Sequence, residues 1–269
     1  MNWDTLLYPT DEQPLDRLTD GYSHTSIFRR IAFIGDSLSS GEFETRGRDG
    51  NAAYHDFYDY SWGQFIARKN GLTAYNFSRG GMTAEEYLDR FAEEQGFWDA
   101  AKACQAYVIA LGVNDLFNRR MPLGTLDDVH PDDPSKNAPT FLGQYAAIVS
   151  RYKAIAPDAT FFFVTFPHLV EPELEETVQG MIKGLYGLSE RFDNAYVIDL
   201  YRYGPVYDAR FQEQFYRHGH MSPAGYLLTA RLIDSYIDYI VRHHPQQFKH
   251  IGFVGTDIPY DRGGQWYGE

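Results

Sequence analysis

Five short apolar segments, each followed by a polar or glycine-containing turn, dominate the pattern of the first 200 residues. They are Arg30–Ile34, Thr73–Phe77, Tyr107–Leu111, Thr160–Phe166 and Tyr196–Leu200. The segments are rich in β-branched and aromatic residues, and most of them lack the alternation of a half-exposed strand. This pattern is typical of strands that are buried on both faces of a parallel sheet.

Longer segments with helical periodicity separate these strands. The predicted helices cover Trp62–Asn70, Thr83–Gln95, Phe141–Ile155, Glu171–Phe192 and Ser222–His243. Gly71 is a stop signal, Thr83 with Glu86 forms a capping box, and Ser222 with Pro223 marks a helix start. Alternating strands and helices predict a three-layer α/β/α fold with right-handed crossovers. No repeat or boundary interrupts the pattern, so we expect one domain over residues 1–269, with an irregular arm at 1–29 and a tail at 244–269.

Composition and charge narrow the class of protein. The 269 residues carry a net charge of −13 and show no basic stripe, which argues against a nucleic-acid partner. The single cysteine, Cys104, excludes an internal disulfide framework. The chain shows no secretory signal pattern and no apolar run long enough to span a membrane, so the prediction is a cytoplasmic protein without a membrane partner. The oligomeric state stays open.

Two segments interrupt the regular alternation. Residues 39–61 form a long connection with several glycines, charged residues and a cluster of aromatic residues. A connection of this length is either functional, as a lid or a binding pocket, or a packed surface loop. Residues 116–139 are rich in Pro, Asp and Gly, and we interpret them as an insertion at the carboxyl ends of the strands.

Polar blocks follow three of the predicted strands, and a fourth opens the last helix. Gly35-Asp36-Ser37-Leu38 ends the first strand, and ligands of open α/β sheets bind at the carboxyl ends of strands. Ser37 is therefore placed like a nucleophile, although a serine there is equally suited to cap a helix. The other blocks are Asn76-Phe77-Ser78-Arg79-Gly80-Gly81, Gly112-Val113-Asn114-Asp115 and His220-Met221-Ser222-Pro223-Ala224-Gly225-Tyr226.

In chain order, these four blocks resemble those of the SGNH/GDSL hydrolases, the GDSL-like lipases and acylhydrolases. The resemblance spans about residues 30–242 and implies a flavodoxin-like five-stranded sheet of order 2-1-3-4-5. It also implies an esterase that needs a nucleophile, a base and donors to an oxyanion. Ser37 matches the family nucleophile and His220 the base. His218 is the rival, but the Ser-Pro turn and the helix that follow favour His220.

The resemblance also assigns the oxyanion hole. Its donors would be the backbone N–H of Ser37, the backbone N–H of Gly81 and the side chain of Asn114, since an amide donates hydrogen bonds and a carboxylate does not. Gly80 competes with Gly81, and the spacing from Asn76 favours Gly81. We further expect Asn76 and Asp115 to tie the loops together, and Asp36 to anchor the turn by hydrogen bonds to backbone amides.

One position departs from the family pattern. An Asp three residues before the histidine usually orients the imidazole, whereas this chain has Arg217 there. A guanidinium cannot accept a hydrogen bond, so we expect Arg217 to point to solvent. The replacement acceptor is then a backbone carbonyl near residues 217–218 or a carboxylate from elsewhere, for which Asp199, Asp208 and Glu213 are candidates.

The sequence thus predicts a serine esterase that acts through an acyl-serine intermediate on a small-molecule ester. The aromatic cluster after Ser37 suits a short acyl ester, such as an acetyl ester, of a carbohydrate. The alternative is a catalytically weak carbohydrate- or ligand-binding protein on the same fold. A flavodoxin-like nucleotide binder is disfavoured because no phosphate-binding loop follows the first strand. No pattern of metal ligands or cofactor motif appears, so no metal or cofactor is expected.

Overall fold

A five-stranded parallel sheet forms the centre of the protein, as seen in a computed structural model that describes residues 4–256. The strands are β1 (Arg30–Gly35), β2 (Thr73–Ser78), β3 (Ala106–Ala110), β4 (Thr160–Val164) and β5 (Ala195–Ile198). Their spatial order is β2-β1-β3-β4-β5, which confirms the predicted topology. The order reverses between β1 and β3, and a crevice forms at such a switch point.

Helices cover both faces of the sheet. They are α1 (Ser37–Ser40), α2 (Trp62–Asn70), α3 (Phe141–Ile155), α4 (Glu175–Arg191), α5 (Leu200–Tyr203), α6 (Ala209–Phe215) and α7 (Pro223–His243). Between α2 and α3 lies a broken helix, in which two α-helical segments, Ala84–Glu86 and Ala92–Glu94, flank a π-helical segment, Tyr87–Phe91. None of the helices in residues 4–256 is long and apolar enough to cross a bilayer.

The helix caps predicted from the sequence are largely confirmed. Gly71, with a φ of +66°, ends α2, and the Ser222 hydroxyl accepts the Gly225 N–H at 3.2 Å to start α7. Thr83 accepts the Glu86 N–H at 3.2 Å. The second half of that capping box is replaced, because the Glu86 carboxylate pairs with Arg79 instead.

The core consists of two apolar layers, one on each face of the sheet. Along β1, Ala32 and Ile34 face one layer and Ile31 and Phe33 face the other. The first layer is closed by α3, α4 and the broken helix, and the second by α2 and α7. Residues 161–163 of β4 are three consecutive phenylalanines, and all are fully buried. A strand buried on both faces accounts for the uninterrupted apolar runs in the sequence.

The long connection after Ser37 is not an irregular loop. Glu42–Arg46 and Ala52–Asp56 pair as an antiparallel hairpin, here called the 42–56 hairpin. A 3-10 turn over Tyr58–Tyr60 leads from it to α2. The alternation Glu42, Phe43, Glu44 is a strand pattern, and it places the two carboxylates on one face of the hairpin strand.

The N-terminal arm packs along α7. The Ser23 hydroxyl donates to Asp234 at 3.0 Å, and the His24 N–H donates to Asp238 at 2.8 Å. Arg242 forms a buried ion pair with Glu12 at 2.6 Å. Of the predicted tail at 244–269, the described part contains two 3-10 turns, Pro245–Phe248 and Ile251–Phe253, and residues 257–269 lie outside the described range.

Candidate active site

Ser37 lies at the carboxyl end of β1, where the chain turns directly into the short helix α1. Asp36 caps this helix, since its Oδ1 accepts the Leu38 N–H at 3.0 Å. A Cβ at Gly35 would collide with the Ser39 side chain, so the tight turn requires glycine. Ser37 is only half-buried and lines a cleft of about 710 Å³. The sequence was also compatible with Ser37 as a helix cap. In the structure Asp36 caps α1, so Ser37 does not have this role.

Two buried carboxyl groups near Ser37 have raised pKa values. Burial, with a smaller contribution from the nearby Asp115 carboxylate, raises the pKa of Asp36 to about 7. Burial likewise raises the pKa of Asp115 to about 6. Asp115 accepts the Ala84 N–H at 2.7 Å and thereby ties the end of β3 to the broken helix. Asp36 lines the cleft, whereas Asp115 lies behind it.

The loop after β2 brings both candidate glycines to the cleft. Gly81 has a φ of +72°, a conformation that favours glycine, and Gly80 has the Glu42 carboxylate directly against its Cα. Within residues 4–256, neither the Gly81 N–H nor the Ser37 N–H donates to another protein group. The Asn76 amide donates to the Ser40 carbonyl at 3.2 Å, which links the end of β2 to α1.

Asn114 follows β3 and lines the same cleft. Its Oδ1 accepts a hydrogen bond from the Asn118 amide at 2.7 Å, and its Nδ2 donates to the Met82 carbonyl at 3.1 Å. These two partners fix which end of the amide is the donor. Because an amide nitrogen carries two hydrogens, one N–H of Asn114 remains for a ligand.

His220 reaches the cleft from the opposite side. It lies in a two-residue strand, His220–Met221, which pairs with Tyr216–Arg217 just before α7. Its side chain is 14% exposed, and the Tyr54 ring packs edge-on against it at 5.6 Å. The Tyr226 hydroxyl donates to the Glu42 carbonyl at 2.6 Å and so joins α7 to the 42–56 hairpin.

Two carboxylates of the 42–56 hairpin bracket the imidazole. Glu42 Oε1 lies 3.0 Å from Nε2, and Glu44 Oε2 lies 3.5 Å from Nδ1. Burial raises the pKa of Glu42. The Gly219 N–H, which donates to Glu44 at 2.9 Å, lowers the pKa of that carboxyl. Within the described residues no hydrogen bond joins Ser37 to His220, because Nε2 faces Glu42 instead.

The sequence analysis did not single out Glu42 or Glu44. The signal was present: two glutamates spaced by two residues, directly after the candidate nucleophile, lie on one face of a strand. This spacing places two side chains on the same face only in a strand, and no strand was predicted within residues 39–61. Arg217 and the rival His218 are both exposed, and neither lines the cleft. Within residues 4–256, no cluster of His, Cys, Asp and Glu side chains is suited to hold a metal ion.

The cleft therefore collects residues from four separate parts of the chain. Ser37, Gly80, Gly81, Asn114 and His220 all line it, together with Asp36. Apolar side chains, among them Leu38, Val113, Phe117 and Phe166, form much of the remaining wall. A half-buried serine, a histidine, an asparagine amide and two glycines around one cleft are suited to acyl transfer.

Residues 33–228 match the model of the GDSL-like lipase/acylhydrolase family. No curated protein matches the chain. Among solved structures, the chain is similar to a family two carbohydrate esterase from Clostridium thermocellum in complex with cellohexaose (19% identity, TM-score 0.56, 81% of this chain and 65% of that one). It is also similar to a carbohydrate esterase family 2 enzyme from Corynascus thermopiles (16%, 0.56, 83% and 69%). A third similar structure is the lipase/acylhydrolase from Enterococcus faecalis (18%, 0.51, 79% and 96%).

At these identities the similarity to solved structures establishes a shared fold. The family model covers more than half of the chain, and it includes Ser37, Gly81, Asn114 and His220. The chain belongs to the GDSL-like lipase/acylhydrolase family.

Proposed function

We propose that the protein is a serine esterase that forms an acyl-enzyme on Ser37. The observation that carries this proposal is the convergence of Ser37, Gly81, Asn114 and His220 on one cleft. These residues come from four segments that are distant in sequence, and the family resemblance gives each of them a role in acyl transfer.

In the proposed reaction, Ser37 Oγ attacks the ester carbonyl while Nε2 of His220 takes the hydroxyl proton. The N–H groups of Ser37 and Gly81, with the Nδ2–H of Asn114, donate to the tetrahedral oxyanion. His220 then gives its proton to the leaving alcohol. Water repeats the sequence and releases the acid from Ser37.

Glu42 has to move before this reaction starts. Its carboxylate contacts Nε2 of His220, the nitrogen that receives the serine proton. The Glu42 side chain is 14% exposed and lines the cleft, and we propose that it rotates away from Nε2 when an ester binds. Catalytic hydrogen bonds are often absent in a free enzyme and form when the substrate binds.

For the substrate we propose a short acyl ester of a carbohydrate. The similar esterase from Clostridium thermocellum forms a complex with cellohexaose. In this chain, Tyr54 lines the cleft and is 57% exposed, and Phe57 and Tyr60, which follow it in sequence, are 49% and 45% exposed. Exposed aromatic rings offer stacking surfaces for the apolar faces of sugar rings.

The test is labelling with a fluorophosphonate probe, followed by mass spectrometry of the labelled peptide. We expect rapid labelling at Ser37 and none in Ser37→Ala. A panel of acetyl, butyryl and longer nitrophenyl esters, with an acetylated oligosaccharide, then defines the acyl and alcohol preference. We expect acetyl esters to react fastest.

A second candidate function is a carbohydrate-binding protein that has lost efficient catalysis. Two observations favour it: the contact of Glu42 with Nε2 and the presence of Arg217 where the family carries an acid. A folded sample that binds oligosaccharides but shows neither labelling nor turnover would establish the binding protein and contradict the esterase.

Substitution of Asn114 tests the oxyanion hole separately. We expect Asn114→Ala and Asn114→Asp to lower kcat about 10²- to 10³-fold, or about 3 to 4 kcal/mol, because both remove a transition-state donor. KM should change little. The control is Asn137→Ala, an amide outside the cleft that donates to the Gly143 carbonyl at 3.0 Å. A kcat within threefold of the wild type in Asn114→Ala would exclude this role.

A further inference from the structure

The Nδ1 atom of His220 is a buried polar atom without a hydrogen bond among the described residues. Unpaired buried nitrogens are rare in folded proteins, and each calls for a physical explanation. The Oε2 atom of Glu44 lies 3.5 Å away, slightly beyond hydrogen-bonding distance. A shift of a few tenths of an ångström would close this gap.

Glu44 is held in place from two sides. Its side chain is only 5% exposed. Oε2 accepts the N–H of Gly219, the residue just before His220, at 2.9 Å, and Oε1 pairs with the Arg46 guanidinium at 2.7 Å. Since the same oxygen faces Gly219 N–H and the His220 ring, the carboxylate is anchored to the segment that carries the histidine.

We infer that Glu44, from the 42–56 hairpin, is the positioning carboxylate of His220 and takes the place of the acid that is missing at position 217. This inference rests on the proposed esterase function. A carboxylate at Nδ1 fixes the tautomer with a hydrogen on Nδ1 and a free lone pair on Nε2. It also stabilises the imidazolium that forms when Ser37 loses its proton. The carboxylate itself takes up no proton.

The other candidate carboxylates have different partners. Asp199 accepts the Arg202 N–H at 2.9 Å and the Tyr186 hydroxyl at 3.0 Å. Asp208 caps α6 by accepting the Phe211 N–H at 2.9 Å, and Glu213 is exposed on the same helix. Within residues 4–256, Glu44 is the carboxylate that faces Nδ1.

Glu42 does not qualify for this role, although it is nearer to the ring. It faces Nε2, and an acceptor there selects the tautomer whose free lone pair is on Nδ1. That tautomer cannot take a proton from Ser37 through Nε2. The two glutamates of one strand thus have opposite effects, and only the one on Nδ1 supports catalysis.

The decisive variant is Glu44→Gln, which keeps the size of the side chain. A glutamine has one acceptor oxygen for the donors at Arg46, Gly219 and Nδ1, so its amide nitrogen must face one of them. We expect kcat to fall roughly 10- to 100-fold, part of the 10²–10⁴ that positioned acid–base catalysis contributes, with KM within threefold. Glu44→Asp, which retains the charge, should keep more activity than Glu44→Gln.

The pH dependence of kcat/KM distinguishes a positioning role of Glu44 from a merely structural one. The charged and titratable groups that face the ring are Glu42, Glu44 and Tyr54, with Arg46 and His218 close to Glu44. Without the Glu44 charge, the acid limb of the kcat/KM profile should move to lower pH, since the imidazolium loses its stabilising neighbour. Glu213→Gln, the same change on an exposed glutamate, should leave kcat and the profile at wild-type values.

Two outcomes would overturn the inference. One is a kcat of Glu44→Gln within threefold of the wild type, and the other is equal loss in Glu44→Gln and Glu44→Asp, which would mean that the charge is irrelevant. Fluorophosphonate labelling of the wild-type protein keeps the two proposals apart. If Ser37 is labelled and turnover is normal in Glu44→Gln, only the role of Glu44 fails. If Ser37 is never labelled, the esterase itself fails.

Discussion

Replacing Ser37 by alanine is expected to lower ester hydrolysis by a factor on the order of 10⁴ to 10⁶, with a nearly unchanged melting temperature. The loss is large because no acyl-enzyme forms without the hydroxyl. Stability should change little, since Ser37 is half-buried and the cap of α1 is supplied by Asp36. The measurements are kcat and KM on the best nitrophenyl ester and a thermal melt of both proteins.

Ser40→Ala is the matched control, because it removes a hydroxyl from the same helical turn. The Ser40 hydroxyl donates to Asp56 at 2.7 Å and has no role in the proposed reaction. We expect the opposite pattern there: a lower melting temperature, from the loss of about 1 kcal/mol for a buried hydrogen bond, and retained turnover. Turnover that survives in Ser37→Ala would place the nucleophile elsewhere.

The positions of the central strands and of the helix ends were predictable from the sequence because apolar runs and cap residues agree. The buried segments around Phe33 and Phe162 carry continuous apolar runs, and the caps at Gly71 and Ser222 fix where α2 ends and α7 begins. The order 2-1-3-4-5 itself came from the family resemblance, since apolar runs alone do not say which strands are neighbours.

The residues that surround His220 were harder to predict from the sequence. Glu44 contacts Gly219, which is 175 positions away. The residues next to a glutamate in sequence do not indicate which distant residue it contacts. The carboxylates predicted as partners of His220 included Asp208 and Glu213, which are near it in sequence. Those side chains cap or flank α6, which the sequence analysis did not predict as a helix.

The 42–56 hairpin explains why the site was only partly predicted. Its glycines and charged residues are typical of a loop, and its first strand has little apolar content. Phe43 nevertheless packs against Phe57, Tyr60 and Tyr226, so the hairpin is anchored to α7 by an aromatic cluster. Contacts with a helix that lies 180 residues away determine this structure, and local propensity does not encode them.

Asp36 is the residue for which we expect the largest effect on stability. It is buried, and burial raises its pKa from an ordinary 3.8 to about 7. The folded protein therefore holds a proton on Asp36 over a pH range in which the unfolded chain has released it. The stabilising contribution is fully present below pH 3.8 and is lost as the pH rises to about 7. A difference of about 3 pH units corresponds to about 4 kcal/mol.

Asp36→Asn removes this titration and keeps an oxygen that accepts the Leu38 N–H. We expect the free energy of unfolding of the wild type to fall between pH 4 and pH 8 by about 4 kcal/mol more than that of the variant. Urea denaturation at several pH values measures both curves. Any fixed cost of the amide cancels in this comparison, because it is the same at every pH.

Asp99→Asn is the control, because Asp99 caps a helical turn at an exposed position. Asp99 accepts the Ala101 N–H at 2.9 Å at the start of a 3-10 turn, in the same way that Asp36 caps α1. Since the Asp99 side chain is exposed, this substitution should change the free energy of unfolding by about 0.5 kcal/mol or less. Parallel pH curves for the wild type and Asp36→Asn would mean that Asp36 is ionised in the folded protein. The buried pair Asp36 and Asp115 would then carry a negative charge beside Ser37, and the nucleophile would form its alkoxide against that charge.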